Sequence, residues 1–190
     1  MSENSSASDA VPAPEPAPHS VPEPSDEALH GAVIVGAVPG QSVRVLREAA
    51  HYAKLHGVYL VVVHVDVTRF ITYEDPDGYV HSAPIDMTVA AGVADLAAVT
   101  AAASAALSER GIAWVVRQLV GDPALAIKHL ADRIDARLIV VGTRKRGLSD
   151  SIREFFTGSV AARLAHRQTH NILVVPTGEP VPDDQPIWGE

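Results

Sequence analysis

The feature that most constrains this chain is an alternation of short, almost continuously apolar runs with longer Ala/Leu-rich stretches. Ala32–Ala37 (AVIVGA), Tyr59–Asp66 (YLVVVHVD), Leu138–Gly142 (LIVVG) and Asn171–Val175 (NILVV) are too short for buried helices and rich in β-branched side chains. Strands read this way when neither face meets water, as in a parallel sheet covered by helices on both sides. A fifth run, Ile112–Leu119 (IAWVVRQL), alternates more and is expected near a sheet edge. Helices are expected at Ser42–His56, Met87–Arg110, Pro123–Ile134 and Ser159–Arg167. In the first, Val43, Leu46, Ala50, Ala53 and Leu55 recur near helical spacing, and Gly57 stands at a natural C′ position. Asp122 and Pro123 suit the N-cap and N1 positions of the third. Five strands and four helices in alternation predict a single-domain α/β fold with a doubly wound parallel sheet. They are too few for a β/α barrel.

Charge divides the chain into three parts. Residues 1–28 hold six acids and no Lys or Arg, and residues 177–190 hold four acids and no base. The remaining 13 acids face all 15 bases within residues 29–176, so the formal charge of −8 belongs to the ends and the body stands at +2. The first 28 residues also carry six prolines and no aromatic, too little apolar surface to offset the entropy of ordering. They are expected to form a disordered Pro/Ala/acidic tail, with 29–176 as the domain and 177–190 as an acidic C-terminal tail.

Several function classes drop out. With no cysteine there is no disulfide framework, thiolate nucleophile or Cys-ligated metal. No apolar run approaches the roughly 18 residues of a membrane span, and the N-terminus lacks a secretory pattern, so a cytoplasmic protein without membrane insertion is expected. A body at +2 is not the basic footprint of a nucleic-acid binder. No HExxH or carboxylate–His set is present, so no metal is predicted beyond nucleotide-associated magnesium. His64, within the second strand, reads as a core histidine. Ser42 and Ser159 lack a G-x-S-x-G elbow or a local base, so no catalytic residue is assigned. The connection Val67–Asp86 fits a lid, an interface or a plain flexible crossover, and its length leans towards a role.

In an open α/β sheet, ligands bind off the carboxyl ends of strands where strand order reverses. Two loops should face that crevice: Gly36–Ser42 after the first strand, and Gly142–Ser159 after the fourth. In the second, Gly158-Ser159-Val160 opens a helix whose free N–H groups can hold an anion, and Arg144, Lys145 and Arg146 add charge. The residues alone fit a phosphate cradle or, equally, a Gly hinge with an ordinary Ser cap and a solvated basic loop.

The segment VVGTRKRGLSDSIREFFTGSVAARLAHRQTHNILVVP resembles the C-terminal half of the universal stress protein family, and AVIVGAVPGQSVRVLREAAHYAKLHGVYLVVVHV resembles its opening. The likeness covers residues 31–176 and includes the Gly121-Asp122-Pro123 turn. It implies a five-stranded parallel sheet ordered 3-2-1-4-5, adenine-nucleotide alpha-hydrolase-like, in a homodimer. It also implies a nucleotide site drawn from Ala37, Val38 and Pro39 after the first strand and Val65 in the second. Gly142, Thr143, Arg144, Lys145 and Gly147 would follow the fourth strand, with Gly158, Ser159 and Val160 at the last helix. ATP or AMP is the implied ligand.

The sequence departs from the ATP-binding pattern of Gly-x-x-Gly, nine residues, then Gly-Ser. Lys145 stands at the second glycine, with Gly147 two residues late, and the span from Gly142 to Gly158 is three positions longer than the pattern. Val38 stands where the nucleoside-binding Asp is expected. A missing carboxylate removes a charge-assisted contact worth about 1.5–3 kcal/mol, around tenfold or more in affinity. The basic triplet is able to restore some of the phosphate neutralisation. Ser151 and Glu154 form a capping-box pattern within the longer loop.

The sequence therefore predicts a universal-stress-type sensing or regulatory module that binds ATP or AMP with little or no hydrolysis. Its dimer contact is expected along Asn171–Val175, an apolar edge that pairing across a twofold axis would cover. The competing reading is a dimeric interaction module that binds no nucleotide and regulates a protein partner through Val67–Asp86 or the acidic tail.

Overall fold

A computed structural model describes residues 23–74, 80–84, 89–143 and 160–177. In chain order the elements are β1 (Val33–Gly36), α1 (Val43–His56), β2 (Leu60–Asp66), β3 (Arg69–Glu74) and β4 (Val80–Pro84). There follow α2 (Val89–Leu107), β5 (Trp114–Val120), α3 (Pro123–Arg133), β6 (Leu138–Gly142), α4 (Val160–Ala165) and β7 (Ile172–Val175). Five strands form one parallel sheet in the order β5-β2-β1-β6-β7. Setting aside the separate β3–β4 pair, this is the order 3-2-1-4-5 expected from sequence. The fold is the α/β architecture of the adenine-nucleotide alpha-hydrolase-like class.

Local chemistry sets the helix ends. The Ser42 hydroxyl accepts from the Arg44 amide at 3.4 Å, and Gly57 closes α1 at φ 65° in the left-handed region that glycine adopts without strain. Asp122 caps α3 by accepting from the Leu125 amide at 3.0 Å, with Pro123 just inside. The expected helices are present, with earlier C-terminal ends: α2 stops at Leu107 rather than Arg110, and α4 at Ala165 rather than Arg167, while the expected starts at Met87 and Ser159 lie outside the described residues.

The core lies in two layers, one on each face of the sheet. Val33, Val35, Leu60, Val62 and Val140 pack against α1 and α2, where Ala49, Ala50, Ala53 and Ala103 let helices sit close. Ile34, Val61, Val63, Ile139 and Val141 pack on the other face, against Ile127, Leu130, Ala131 and Leu164 of α3 and α4. All seven residues of β2 are buried, which explains why its run is apolar but for His64 and Asp66. Each fully buried Val, Leu or Ile contributes roughly 1.5–3 kcal/mol relative to exposure.

One expectation is corrected. The Val67–Asp86 connection is not simply a long loop: β3 and β4 pair in antiparallel fashion, with a bulge between Ile71 and Tyr73. The run Arg69–Glu74 has strand-forming residues, but its partner ends in Pro84 and carries no apolar alternation, so the hairpin left no periodic signal. The segment leading into β1 is docked on the body. Residues 25–31 form hydrogen-bonded turns, the Gly31 amide donates to the Ile134 carbonyl at 2.8 Å, and Leu29 is fully buried in the α3 layer.

Candidate functional site

Strand order reverses between β1 and β6: β1 has β2 on one side and β6 on the other. The crevice beyond their carboxyl ends is where this fold class receives ligands. The β1–α1 loop forms one wall. The Ala37 amide donates to the Val63 carbonyl at 2.8 Å, which keeps the loop in register with β2. The Val38 amide then donates to Gln41 Oε1 at 3.0 Å, the Gln41 amide returns to the Val38 carbonyl at 3.2 Å, and Gly40 turns at φ 68°. Gln41 thus closes a compact turn around Pro39. Val38, where a carboxylate was sought, presents an apolar side chain that is 54% exposed.

The opposite wall begins at Gly142. A Cβ there would lie 2.9 Å from Val45 Cγ2, 3.0 Å from Gln41 Nε2 and 3.1 Å from Thr177 Cγ2. Glycine is therefore required by packing between the two loops, whatever a ligand demands. Thr143 and Thr177 clamp the next step. The Thr177 amide donates to Thr143 Oγ1 at 2.9 Å, and the Thr177 hydroxyl donates to the Thr143 carbonyl at 2.6 Å. Ala37, Val38, Pro39, Gly142 and Thr143 thus line the β1 and β6 ends of one crevice.

Val65 is placed differently. It is 9% exposed and belongs to the core layer on the α3 and α4 face, two strands over from β6. Val160 opens α4 and packs against the same layer. Arg144, Lys145, Gly147, Gly158 and Ser159 lie outside the described residues, as does the Ser151/Glu154 pattern.

Sequence reading missed three polar arrangements near the strand ends. His64 is 4% exposed, and its Nδ1 lies 3.3 Å from the Ala37 carbonyl, which it ties to β2 by donating. Its burial agrees with a core histidine, but its contact with the crevice loop was not foreseen. Asp66 ends β2 at 5% exposure, accepting at Oδ1 from the Thr68 amide at 2.8 Å and hydroxyl at 2.6 Å. Its Oδ2 lies 2.5 Å from where a Gly92 Cβ would stand, so glycine in the first turn of α2 admits a buried carboxylate to the positive end of the helix. An Asp-x-Thr pattern after an apolar strand was the available signal.

The third arrangement joins α3 to α4. Asp122 Oδ2 accepts from Arg163 Nη1 at 2.6 Å while Oδ1 caps α3. Burial disfavours the Asp122 carboxylate, but the Arg163 guanidinium and the Leu125 amide outweigh it and hold its pKa below the ordinary 3.8. This pair orients the short helix that follows the Gly158-Ser159 step. Among the described residues no group of three or more His, Asp or Glu is placed to hold a metal ion, and no helix is long and apolar enough to cross a membrane.

Comparison with known proteins agrees with this architecture. The model of the universal stress protein family matches residues 32–176. Among solved structures, a universal stress protein in complex with cAMP is similar at 26% identity and TM-score 0.52, covering 79% of this chain and 99% of that one. A universal stress protein from Archaeoglobus fulgidus in complex with dAMP is similar at 22% identity and TM-score 0.53, covering 77% and 98%. A member of the family from Burkholderia pseudomallei shows 24% identity and TM-score 0.54, covering 78% and 97%. Comparison with curated protein sequences gives no match.

Proposed function

The chain belongs to the universal stress protein family, and we propose that it is a homodimeric sensing or regulatory module that binds an adenine nucleotide, ATP or AMP, with little or no hydrolysis. The observation that carries this reading is the convergence of the Ala37–Gln41 turn and Gly142 at the point where strand order reverses. The cAMP complex of a 26% identical relative supports it. Nucleoside and phosphates would lie between these loops, with Arg144, Lys145 and Ser159 serving the phosphates. Near the crevice, Asp122 is held by Arg163 and His64 is bound to the loop backbone, which supports the absence of hydrolysis. The setting is a cytoplasmic one, and the dimer forms through β7.

A second reading has an observation of its own. Val38 offers an apolar surface where a nucleoside would meet a carboxylate, which suits a module that docks protein rather than nucleotide. Mass spectrometry of ligand released from denatured protein, with thermal melting at millimolar ATP or AMP and magnesium, separates the two. The absence of both a released nucleotide and a shift in melting would remove the nucleotide reading. Where nucleotide binds, Val38→Asp should tighten it about tenfold by restoring a charge-assisted contact.

A further inference from the structure

On the sheet edge formed by β5, away from the crevice, an arginine is buried in an unusual way. Among the described residues β5 pairs only with β2, and β3 approaches it without forming a ladder. Arg117 lies mid-strand between Val115 and Leu119, on the face toward α3, and its side chain is 13% exposed. A guanidinium at that depth requires fixed acceptors. They come from residues that precede the first strand. Nη1 donates to Asp26 Oδ1, and Nη2 donates to the Pro24 carbonyl at 2.7 Å. Asp26 Oδ2 accepts from Arg133 Nε of α3 at 3.0 Å, so one carboxylate bridges two arginines. Glu23 Oε1 stands 3.5 Å from Arg117 Nε, yet that buried nitrogen makes no hydrogen bond.

A groove of about 640 Å³ wraps this edge. Leu96 and Thr100 of α2 line one side, Val116 and Gln118 of β5 the floor, and Arg117 and Arg133 the other side. We propose that the groove is a docking site for an extended acidic peptide of a partner protein with the pattern Glu-Pro-x-Asp. Residues 23–26 occupy its arginine end in cis as a displaceable latch. The chain's own Glu23-Pro24-Ser25-Asp26 shows which chemistry fits: a carboxylate for the two guanidinium groups, a carbonyl from an extended proline-containing backbone, and a second acid beside Nε. The cis occupant fits incompletely. Glu23 is 59% exposed and leaves Nε unsatisfied, and no backbone pairing to β5 accompanies it. The tether at buried Leu29 fixes where residues 23–26 can reach. A segment free of that tether reaches Nε with its Glu and pairs with the outer edge of β5, the mode known as strand addition. Cis occupancy lowers the apparent affinity for such a segment by the fraction of time the latch is open.

The test uses the full chain and a fluorescein-labelled peptide of sequence VPEPSDEA, followed by fluorescence anisotropy. Asp26→Asn opens the latch and should bind the peptide at least tenfold tighter than the parent chain. Adding Arg117→Met to Asp26→Asn should return binding to the parent level or below. Arg133→Gln, at a side chain 49% exposed, serves as a second such variant that leaves the fold intact. A peptide with Gln and Asn in place of its acids should not bind. Equal binding by the parent and Asp26→Asn chains, or binding that ignores both arginine substitutions, overturns the proposal. Self-association of the Asp26→Asn chain without peptide uptake makes a second copy the occupant and overturns it as well.

Discussion

The two edges of the sheet are managed in opposite ways. At β5, Arg117 is sunk into the strand face and tied by Asp26 and Pro24 to a segment anchored by Leu29. At β7, the strand is only four residues long, carries no charged side chain, and leaves Val174 44% exposed. A strand edge is a row of unpaired donors and acceptors that invites association unless blunted by charge, cover or shortness. β5 uses charge and cover, so access there depends on the latch. β7 uses shortness alone, which suits an edge that meets its own copy.

The largest effect should come from removing the anchor of the β5 arrangement. Leu29→Ala deletes a fully buried side chain from the α3 layer and should cost about 2–5 kcal/mol, read as a lower midpoint in urea. Proteolytic cutting should then appear in residues 23–31. A loss below about 1 kcal/mol would mean that this segment rests on the surface and the contrast between edges is weaker than drawn. Arg117→Met should come next, at about 2 kcal/mol, because it removes charge-assisted bonds to Asp26 and Pro24 while keeping apolar bulk on the strand.

The third effect is a pH dependence confined to the β5 side. Burial opposes the Asp26 carboxylate, but Arg117 and Arg133 bond it and hold its pKa below the ordinary 3.8. A carboxyl with a lowered folded pKa adds stability above its unfolded pKa and loses it as pH falls through the folded one. Stability should therefore decline on acidification below about pH 4, and Asp26→Asn should flatten that limb. Asp26 is 39% exposed, so solvent screening keeps its share within about 1 kcal/mol. An acid limb unchanged in Asp26→Asn would remove the ion pair from the account of this edge.

The same contrast explains what was legible in the sequence. The sheet was readable because burial on both faces leaves an almost continuous apolar run, as in β2, and because capping chemistry at Gly57 and Asp122 is local. The edge position of β5 followed from its alternation, and that of β7 from the strand order that the family resemblance implies. The latch was not readable. Arg117 and Asp26 are 91 positions apart, and nothing in an acidic, proline-rich stretch marks one Asp as bound. The crevice was legible in its glycines and turn residues but not in its packing. Gly92 stands in an Ala-rich helix with no local mark that the Asp66 carboxylate packs against it. Val65 is a strand residue whose side chain turns to the core, a direction that its period-two position beside Val61 and Val63 did contain.

The smallest change in stability should accompany the most visible change in assembly. Val174→Lys places a charge on an exposed side chain of the β7 edge, where it opposes pairing with an identical strand. Because Val174 is exposed in the single chain, its own fold should shift by no more than about 0.5 kcal/mol. The proposed dimer, by contrast, sets two copies of the lysine close together across the twofold axis and should dissociate. Sedimentation or light scattering at matched concentration would then read a dimer mass for the parent and a monomer mass for the variant. Arg117→Met should leave that mass unchanged, since it acts at the other edge. A Val174→Lys chain that stays dimeric would move the interface away from β7 and leave the apolar edge without a partner.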